Sequence, residues 1–244
     1  MADDLRSRWI VATHAFGHDW SMSPADDARA SVGRSSDEIA MPLVARLLDE
    51  VAVRTEPLFV GLDGRSGAGK STLAAVVAAR LSSGDHVSTR VTVIDGDQFY
   101  AGGSAATWDE RTPMQKAAEV IDWRRQRSAL RQLREQGVAE WHPFDWDAED
   151  WDTENVPLST QSVRSVVAPV VMLEGAYSCR PELHDLLHLL VLLDIPREVR
   201  RRQLLGRQGD EYRADWEARW SAAEDHYFGS VMPAKRFDLV LGSP

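Results

Sequence analysis

Short apolar runs alternate with longer amphipathic stretches along most of this chain, a pattern typical of an α/β protein. The apolar runs are rich in Val, Leu and Ile and are short enough to be buried strands. They cover residues 58–62, 91–94, 166–173, 189–195 and 237–241. Because strands of this kind separated by helical segments favour parallel pairing, we predict a mostly parallel sheet with helices on both faces.

Several intervening segments carry helix start and stop signals. Ser36 or Asp37 is a candidate cap for a helix that runs to residue 53. Thr112, followed by Pro and then Gln, has the pattern of a capping box. Asp122 is expected to cap a helix that runs to residue 136 and ends at Gly137. Further helical segments are predicted over 72–81, over 181–187, after 196 and around 216–227.

The size and composition of the chain fit one large domain with an addition. Its 244 residues, 43% of them hydrophobic, are enough to bury a substantial core. Residues 1–35 are polar and mixed and carry no recognisable chemistry, so we interpret them as an N-terminal extension. Residues 36–244 are expected to form the functional domain.

Charge and cysteine content exclude several classes of protein. A net charge of −10 argues against broad nonspecific binding to nucleic acid or to anionic membranes. The single cysteine, Cys179, excludes an intrachain disulfide framework and is expected to be structural rather than a nucleophile. No signal peptide or membrane-spanning apolar stretch is evident, so we expect a cytoplasmic protein, with homo-oligomerisation left open.

The segment GRSGAGKS at 64–71 has the spacing of a phosphate-binding P-loop. It follows a predicted strand and precedes a predicted helix, which is the context that the motif requires. Its glycines allow a tight turn with converging N–H groups, and the helix N-terminus adds partial positive charge. Lys70 is expected to reach nucleotide phosphates, and the Ser71 hydroxyl to ligate Mg²⁺. The expected nucleotide-binding residues are Gly64, Arg65, Ser66, Gly67, Ala68, Gly69, Lys70, Ser71 and Thr72.

Other residues supply the remaining parts of a phosphoryl-transfer site. Asp97 follows a predicted strand and is a candidate to accept a hydroxyl proton and to help hold Mg²⁺, with a turn cap as the alternative. Glu174 ends another predicted strand, where a buried carboxylate is costly unless it is paired, which suits an Mg²⁺-organising role. Among the arginines after residue 196, Arg200 and Arg202 are candidates to stabilise the transferred group, although a solvated helix face is the alternative.

Two charged segments have no single interpretation. The helix predicted from Asp122 carries five arginines, which indicate either a solvated basic face or a site for an acceptor phosphate or nucleic acid. The run DWDAEDWDTE at 145–154 holds six acidic residues around two tryptophans and is interpreted as a loop or the edge of a lid, with metal binding as the alternative.

In these motifs the chain resembles the uridine and cytidine kinase family and, more loosely, the phosphoribulokinase-like P-loop kinases. The resemblance covers residues 58–241. Beyond the P-loop, the segment from Asp97 to Tyr100 is similar to the family's Asp-Ser-Phe-Tyr, whose Asp is the catalytic base. The segment 171–175 is similar to the strand that ends in Glu-Gly. Arg200 and Arg202, which follow Asp194, resemble the arginine-bearing lid, and 237–240 resembles the terminal strand.

The resemblance implies a three-layer P-loop NTPase fold and an ATP-dependent kinase that transfers the γ-phosphoryl group to a hydroxyl of a small molecule. It implies catalytic roles for Asp97, Lys70, Arg200 and Arg202, and Mg²⁺ held through Ser71, Glu174 and Asp97. No nucleic-acid or membrane partner is expected.

The acceptor side departs from the family pattern. Lys116-Ala117-Ala118 stands where the family has an Asp-His-Pro element. The family's His and Arg after the equivalent of residues 144–146 are missing. The expected substrate-binding residues are Tyr100, Phe144, Asp145 and Trp146. A nucleoside is the first expectation for the acceptor. The alternatives are a sugar, a vitamin precursor or an aminoglycoside-like antibiotic, and a nucleotide-binding regulator without an acceptor.

Overall fold

The computed structural model describes residues 35–83, 89–149, 151, 155–208 and 214–242. Its strands are β1 (Leu58–Asp63), β2 (Val91–Asp95), β3 (Val138–Trp141), β4 (Val163–Val166), β5 (Val170–Glu174), β6 (Leu189–Asp194) and β7 (Leu239–Gly242). Its α-helices are α1 (Ser36–Ala52), α2 (Lys70–Ser83), α3 (Ala105–Asp109), α4 (Pro113–Glu119), α5 (Trp123–Gln136), α6 (Arg197–Gln208) and α7 (Ala214–His226).

Five strands form one parallel sheet in the order β2-β5-β1-β6-β7. Since successive side chains of a strand point to opposite faces, each strand contributes to two cores. In β1, Phe59 belongs to one apolar core, which also holds Leu130 of α5 and Trp220 of α7. Val60 belongs to the other core, which includes Leu43 of α1 and further residues of α2. The predicted α/β fold, with a mostly parallel sheet and helices on both faces, is confirmed.

The local helix signals determine several element ends. The Asp122 side chain accepts hydrogen bonds from the backbone N–H groups at the start of α5, and Gly137 ends that helix in the left-handed region at φ 74°. Thr112 and Gln115 form the predicted capping box at the start of α4. Each of these signals lies within a few residues of the helix end that it determines.

Four predictions of secondary structure were wrong or incomplete. Helix α1 is capped by Ser35, whose side chain accepts a hydrogen bond from the Glu38 N–H, rather than by Ser36 or Asp37. The run 166–173 is not one strand: Pro169, which has no backbone N–H, lies between β4 and β5, and β4 pairs antiparallel with β3 in a separate hairpin. The helix predicted over 181–187 is reduced to a 3₁₀ turn at Pro181–Leu183. Helix α2 begins at Lys70 rather than at residue 72, so the last residues of the P-loop motif are already helical.

Residues 1–34 of the proposed N-terminal extension lie outside the described residues, and the extension stays a prediction. The first described helix, α1, packs against α2, and Asp37 of α1 forms an ion pair with Arg80 of α2. Within the described ranges, no helix is both long enough and apolar enough to cross a membrane.

Candidate active site

The P-loop joins the end of β1 to the start of α2. Lys70 Nζ donates hydrogen bonds to the backbone oxygens of Gly64 at 2.9 Å and Arg65 at 3.2 Å. Gly67 has a φ of 74°, and a Cβ there would lie 2.8 Å from the carbonyl oxygen of Arg200, so the turn requires glycine. Ser71 is exposed in the first turn of α2. The loop therefore places an ammonium group and a helix N-terminus together, an arrangement suited to phosphate.

Strand register brings two carboxylates to the same sheet edge as the P-loop. Asp95 of β2 and Glu174 of β5 are direct partners in the parallel ladder, and Glu174 is also paired with Leu62 of β1. The P-loop starts two residues after Leu62. All three strands therefore end beside the loop, as expected for the ligand-binding edge of an open α/β sheet.

Asp97 lies just beyond β2, in a 3₁₀ turn at Gly96–Phe99. The Asp95 side chain caps this turn by accepting a hydrogen bond from the Asp97 N–H at 2.9 Å. Asp97 itself is exposed. Its carboxylate is thus held at the mouth of the site by a fixed turn and is accessible to a ligand.

The carboxylates at this edge affect one another electrostatically. Burial raises the pKa of Glu174 to about 7, and the negative charge of Asp97 adds to the rise, while Lys70 and a hydrogen bond from Ser71 oppose it. Burial also raises the pKa of Asp95 to about 8, with further contributions from Asp97 and Glu174. Because like charges at close range disfavour ionisation, a cation at this edge would be strongly stabilising.

A third buried carboxylate, Asp63, orders the segments behind the P-loop. It accepts hydrogen bonds from the N–H groups of Gly64, Tyr177 and Cys179 at 2.8–3.0 Å and from the Tyr227 hydroxyl at 2.8 Å. Burial raises the pKa of Asp63, and the hydrogen bonds oppose that rise. One side chain thereby joins the P-loop, the segment after β5 and the residues after α7.

Removal of the Tyr227 hydroxyl tests this junction. We expect Tyr227→Phe to lower the free energy of unfolding by about 1–3 kcal/mol, because it leaves a buried carboxylate with one donor fewer. Tyr177→Phe is the matched control, since the neighbouring Tyr177 hydroxyl makes no hydrogen bond with a described residue. Urea denaturation of both variants gives the comparison. Equal losses of stability in the two variants would contradict the assigned role.

Cys179 lies against the same junction and is fully buried. Burial raises the pKa of its thiol, with Asp63 adding to the rise, so the protonated form is favoured. A protonated, buried thiol is a poor nucleophile, which supports the structural interpretation of this residue.

Helices α6 and α7 hold the outer side of the P-loop. Arg200 donates to the backbone oxygens of Ser66 and Ile195, both at 3.1 Å. The Ser66 N–H donates to Glu224 at 2.6 Å, and Arg65 forms an ion pair with Asp225 at 2.6 Å. Of the two predicted lid arginines, Arg200 therefore contacts the loop backbone.

The second predicted lid arginine, Arg202, is exposed. A cavity of about 330 Å³ opens between α6, α7 and the loop, with Leu204 and Trp220 in its lining. Its lining does not include Lys70, Asp97 or Glu174, so it is separate from the strand-end site. The direct action of either arginine on a phosphate stays a prediction.

The predicted substrate-binding aromatics are brought together. The ring centroids of Tyr100 lie 5.0 Å from Phe144 and 5.1 Å from Trp146, and Trp151 packs at the edge of this group. Trp146 is only 9% exposed, so most of its surface packs against protein. Asp145 is half-buried and accepts a hydrogen bond from the Asp147 N–H at 3.0 Å. Stacking of Trp146 on an acceptor ring stays a prediction.

Comparisons with known proteins are informative for the fold. No protein-family model and no curated protein matches the chain. It is similar to the structure of a possible uridine kinase from Bacillus stearothermophilus, with 20% identity, a TM-score of 0.59, and coverage of 83% of this chain and 96% of that one. The chain shares the fold of that structure. A candidate fructose transport system kinase from Silicibacter sp. TM1040 is also similar, at 18% identity and TM-score 0.57, covering 85% of this chain and 99% of that one. The protein YGR205w matches at 11% identity and TM-score 0.51, covering 82% and 88%.

The fold also brings to the site residues that the sequence motifs did not identify. Asp95 was given no role in the sequence analysis, although its spacing of two residues from Asp97 is a signal for a carboxylate pair. Asp63 directly precedes the P-loop, but its donors come from residues as far as 164 positions away in sequence. Gln126, next to Gly96, and Arg180, which donates to the Ala118 carbonyl oxygen of α4, are both buried, and neither belongs to a motif.

Proposed function

We propose that this protein is an ATP-dependent kinase that transfers the γ-phosphoryl group to a hydroxyl of a small molecule. The observation that carries the proposal is the position of Asp97 and Glu174 at strand ends beside the P-loop that holds Lys70. Phosphate binding alone needs only the loop. An exposed carboxylate next to the loop adds a group that can deprotonate an acceptor, which favours transfer over simple nucleotide binding.

Each residue then has a distinct role. The P-loop N–H groups and Lys70 hold the phosphates of ATP. Asp97 accepts the proton of the acceptor hydroxyl. The hydroxyl oxygen bonds to the γ-phosphorus while the bond between the γ-phosphorus and the β-phosphate oxygen breaks, which leaves ADP. Arg200, or Arg202 two residues later on α6, compensates charge on the transferred group.

The residues present fit a magnesium ion. The Ser71 hydroxyl lies close enough to the buried Glu174 carboxylate to oppose the rise in its pKa, so two oxygen groups that Mg²⁺ prefers lie together near Lys70. Within the described residues, no group of three or more His, Cys, Asp or Glu side chains forms a ready-made metal site. A small number of protein oxygen groups suits an Mg²⁺ ion that keeps several of its waters and binds together with the nucleotide. The ion would neutralise phosphate charge. Ser71, Glu174 and Asp97 would hold it.

The chemical identity of the acceptor does not follow from these residues alone. One structural neighbour is described as a possible uridine kinase and another as a candidate fructose transport system kinase, which is consistent with a nucleoside or a sugar as acceptor. We propose that the protein acts as a cytoplasmic enzyme on a free small molecule, with the possibility of a homo-oligomer retained.

An ADP-release screen tests the function. Nucleosides, sugars, hydroxy acids, sugar phosphates and amino-alcohol antibiotics are each offered with ATP and Mg²⁺, and Lys70→Ala serves as the blank. At least one compound is expected to raise ADP release above its acceptor-free rate, and chelation of Mg²⁺ is expected to abolish that increase. If no compound exceeds the blank, a nucleotide-binding regulator becomes the better account.

A further inference from the structure

Buried polar atoms without a partner lie beside the strand-end site. In the described part of the chain these side-chain atoms are Arg125 Nη1, Gln126 Nε2, Gln126 Oε1 and Arg180 Nη1. Arg125 and Gln126 are neighbours at the start of α5, and the Arg180 guanidinium lies 5.7 Å from the ring centroid of Trp123, the first residue of that helix. Since buried polar atoms in proteins are usually hydrogen-bonded, their concentration at one helix start indicates that a ligand supplies the partners.

Gln126 connects these atoms to the reacting site. It is 1% exposed, and its Nε2 lies 3.3 Å from the position that a Cβ on Gly96 would occupy. Gly96 directly precedes Asp97, so the unpaired amide lies next to the segment that carries the proposed base. A primary amide offers two donors and one acceptor, which suits a ligand with a hydroxyl or carbonyl oxygen.

Arg180 approaches from the segment after β5. It is 4% exposed, its Nε donates to Glu182 at 3.0 Å, and its Nη2 donates to the backbone oxygen of Ala118 in α4 at 3.2 Å. The position of the guanidinium is therefore fixed while Nη1 remains without a partner. A planar, fixed guanidinium of this kind is suited to a carboxylate or a phosphate.

Lys116 lies on α4, two residues before Ala118, and is 8% exposed. After the hydrogen bond from Arg219, the positive charge of Lys116 is among the causes that lower the pKa of Asp109, so part of this charge is balanced within the chain. Arg180 is therefore the buried cation whose remaining donor, Nη1, an anion can bind.

The two sides of the site consequently differ in charge. The strand-end side carries Asp95, Asp97 and Glu174, which suit a metal. The side formed by α4, α5 and the segment after β5 carries Lys116, Arg125 and Arg180. Of these three cations, only Arg180 has an ion pair within the described residues, with Glu182.

We propose that the phosphoryl acceptor carries an oxyanion, either a carboxylate or a phosphate monoester, that accepts a hydrogen bond from Arg180 Nη1. Gln126 binds an oxygen next to the hydroxyl that is phosphorylated. This inference rests on the proposed kinase function and narrows its acceptor to an anionic hydroxy compound. Neutral nucleosides and free sugars are then poor acceptors, because they leave the buried Arg180 Nη1 without a charged partner.

Anion binding tests the inference without any need for turnover. The full chain is saturated with Mg²⁺ and a non-hydrolysable ATP analogue, so that the P-loop is occupied. Inorganic phosphate and acetate are then titrated separately, with tryptophan fluorescence as the readout because Trp123 adjoins Arg180. We expect saturable binding of at least one anion, and the tighter of the two identifies a phosphate or a carboxylate as the recognised group.

Single substitutions test where the anion binds. Arg180→Gln is expected to weaken anion binding about tenfold to a hundredfold, since it removes a charged hydrogen bond. Gln126→Glu hardly changes the size of the side chain and so leaves no cavity. It is expected to weaken anion binding to a similar extent, because the new carboxylate repels the anion. Arg131→Gln is the matched control, because Arg131 is exposed on α5 and, among the described residues, forms an ion pair with Glu135. Absence of saturable binding, or binding that neither site variant changes, would overturn the inference.

Acceptor activity separates this inference from the kinase proposal itself. Stimulation of ADP release by anionic hydroxy compounds, with an increased KM in Arg180→Gln and an unchanged KM for ATP, supports both. Stimulation by neutral nucleosides or sugars at equal efficiency overturns the anionic acceptor and leaves the kinase intact. If the chain binds anions but no acceptor stimulates ADP release, the kinase proposal fails.

Discussion

Asp97→Asn is expected to lower kcat for phosphoryl transfer by about a hundredfold to ten-thousandfold, the range associated with loss of a general base. Asparagine has nearly the same shape but does not take up the acceptor's proton. The turn that holds residue 97 depends on the Asp95 side chain and the backbone N–H of residue 97, and both remain. ATP binding should therefore be almost unchanged. Steady-state kinetics with the best acceptor and a nucleotide-binding titration measure the two quantities.

Asp147→Asn provides the matched control for this prediction. Asp147 is exposed in the acidic run and lies outside the strand-end site. The Asp147→Asn variant should transfer phosphate at the wild-type rate. If Asp97→Asn also kept wild-type kcat, the assignment of the base would be wrong.

Lys70→Ala is expected to cost about a hundredfold to a thousandfold in kcat, with weaker ATP binding in addition. Its Nζ lies 2.9 Å from the Gly64 carbonyl oxygen, in the P-loop where the phosphates are expected. The other cation of the loop, Arg65, is engaged with Asp225 and is not positioned to replace it. The loss should appear in both single-turnover transfer and nucleotide titration.

Lys235→Ala is the control, because Lys235 is exposed in a 3₁₀ turn near the C-terminal strand. The chain has only three lysines, at positions 70, 116 and 235, so this comparison uses the one lysine that no part of the site requires. Equal activity of the two variants would remove Lys70 from the mechanism.

Local signals predicted the parts of the fold that depend on neighbouring residues. The start and end of α5 follow from Asp122 and Gly137, whose contacts lie within one turn of the helix. The run 166–173 was misinterpreted because the pairing of β4 with β3 depends on a partner segment about 25 residues away in sequence. Apolar composition alone does not say which sheet a strand joins.

The same distinction holds for the site. The P-loop, Asp97 and Glu174 were predictable because each follows an apolar strand or lies in a compact motif. Asp95 opposite Glu174 depends on strand register, and three of the four donors around Asp63 come from two distant segments. The unpaired atoms of Gln126 and Arg180 depend on the packing of α5 against the segment after β5, which no motif encodes.

The most direct test of the account follows the γ-phosphoryl group itself. The wild-type chain is incubated with Mg²⁺, the best acceptor and ATP labelled in its γ-phosphoryl group, and the label is located after separation of the products. We predict that the label moves to the acceptor in an amount equal to the ADP formed, and that Asp97→Asn abolishes this transfer while still binding ATP. Label released only as inorganic phosphate, at a rate independent of any acceptor, would contradict the account.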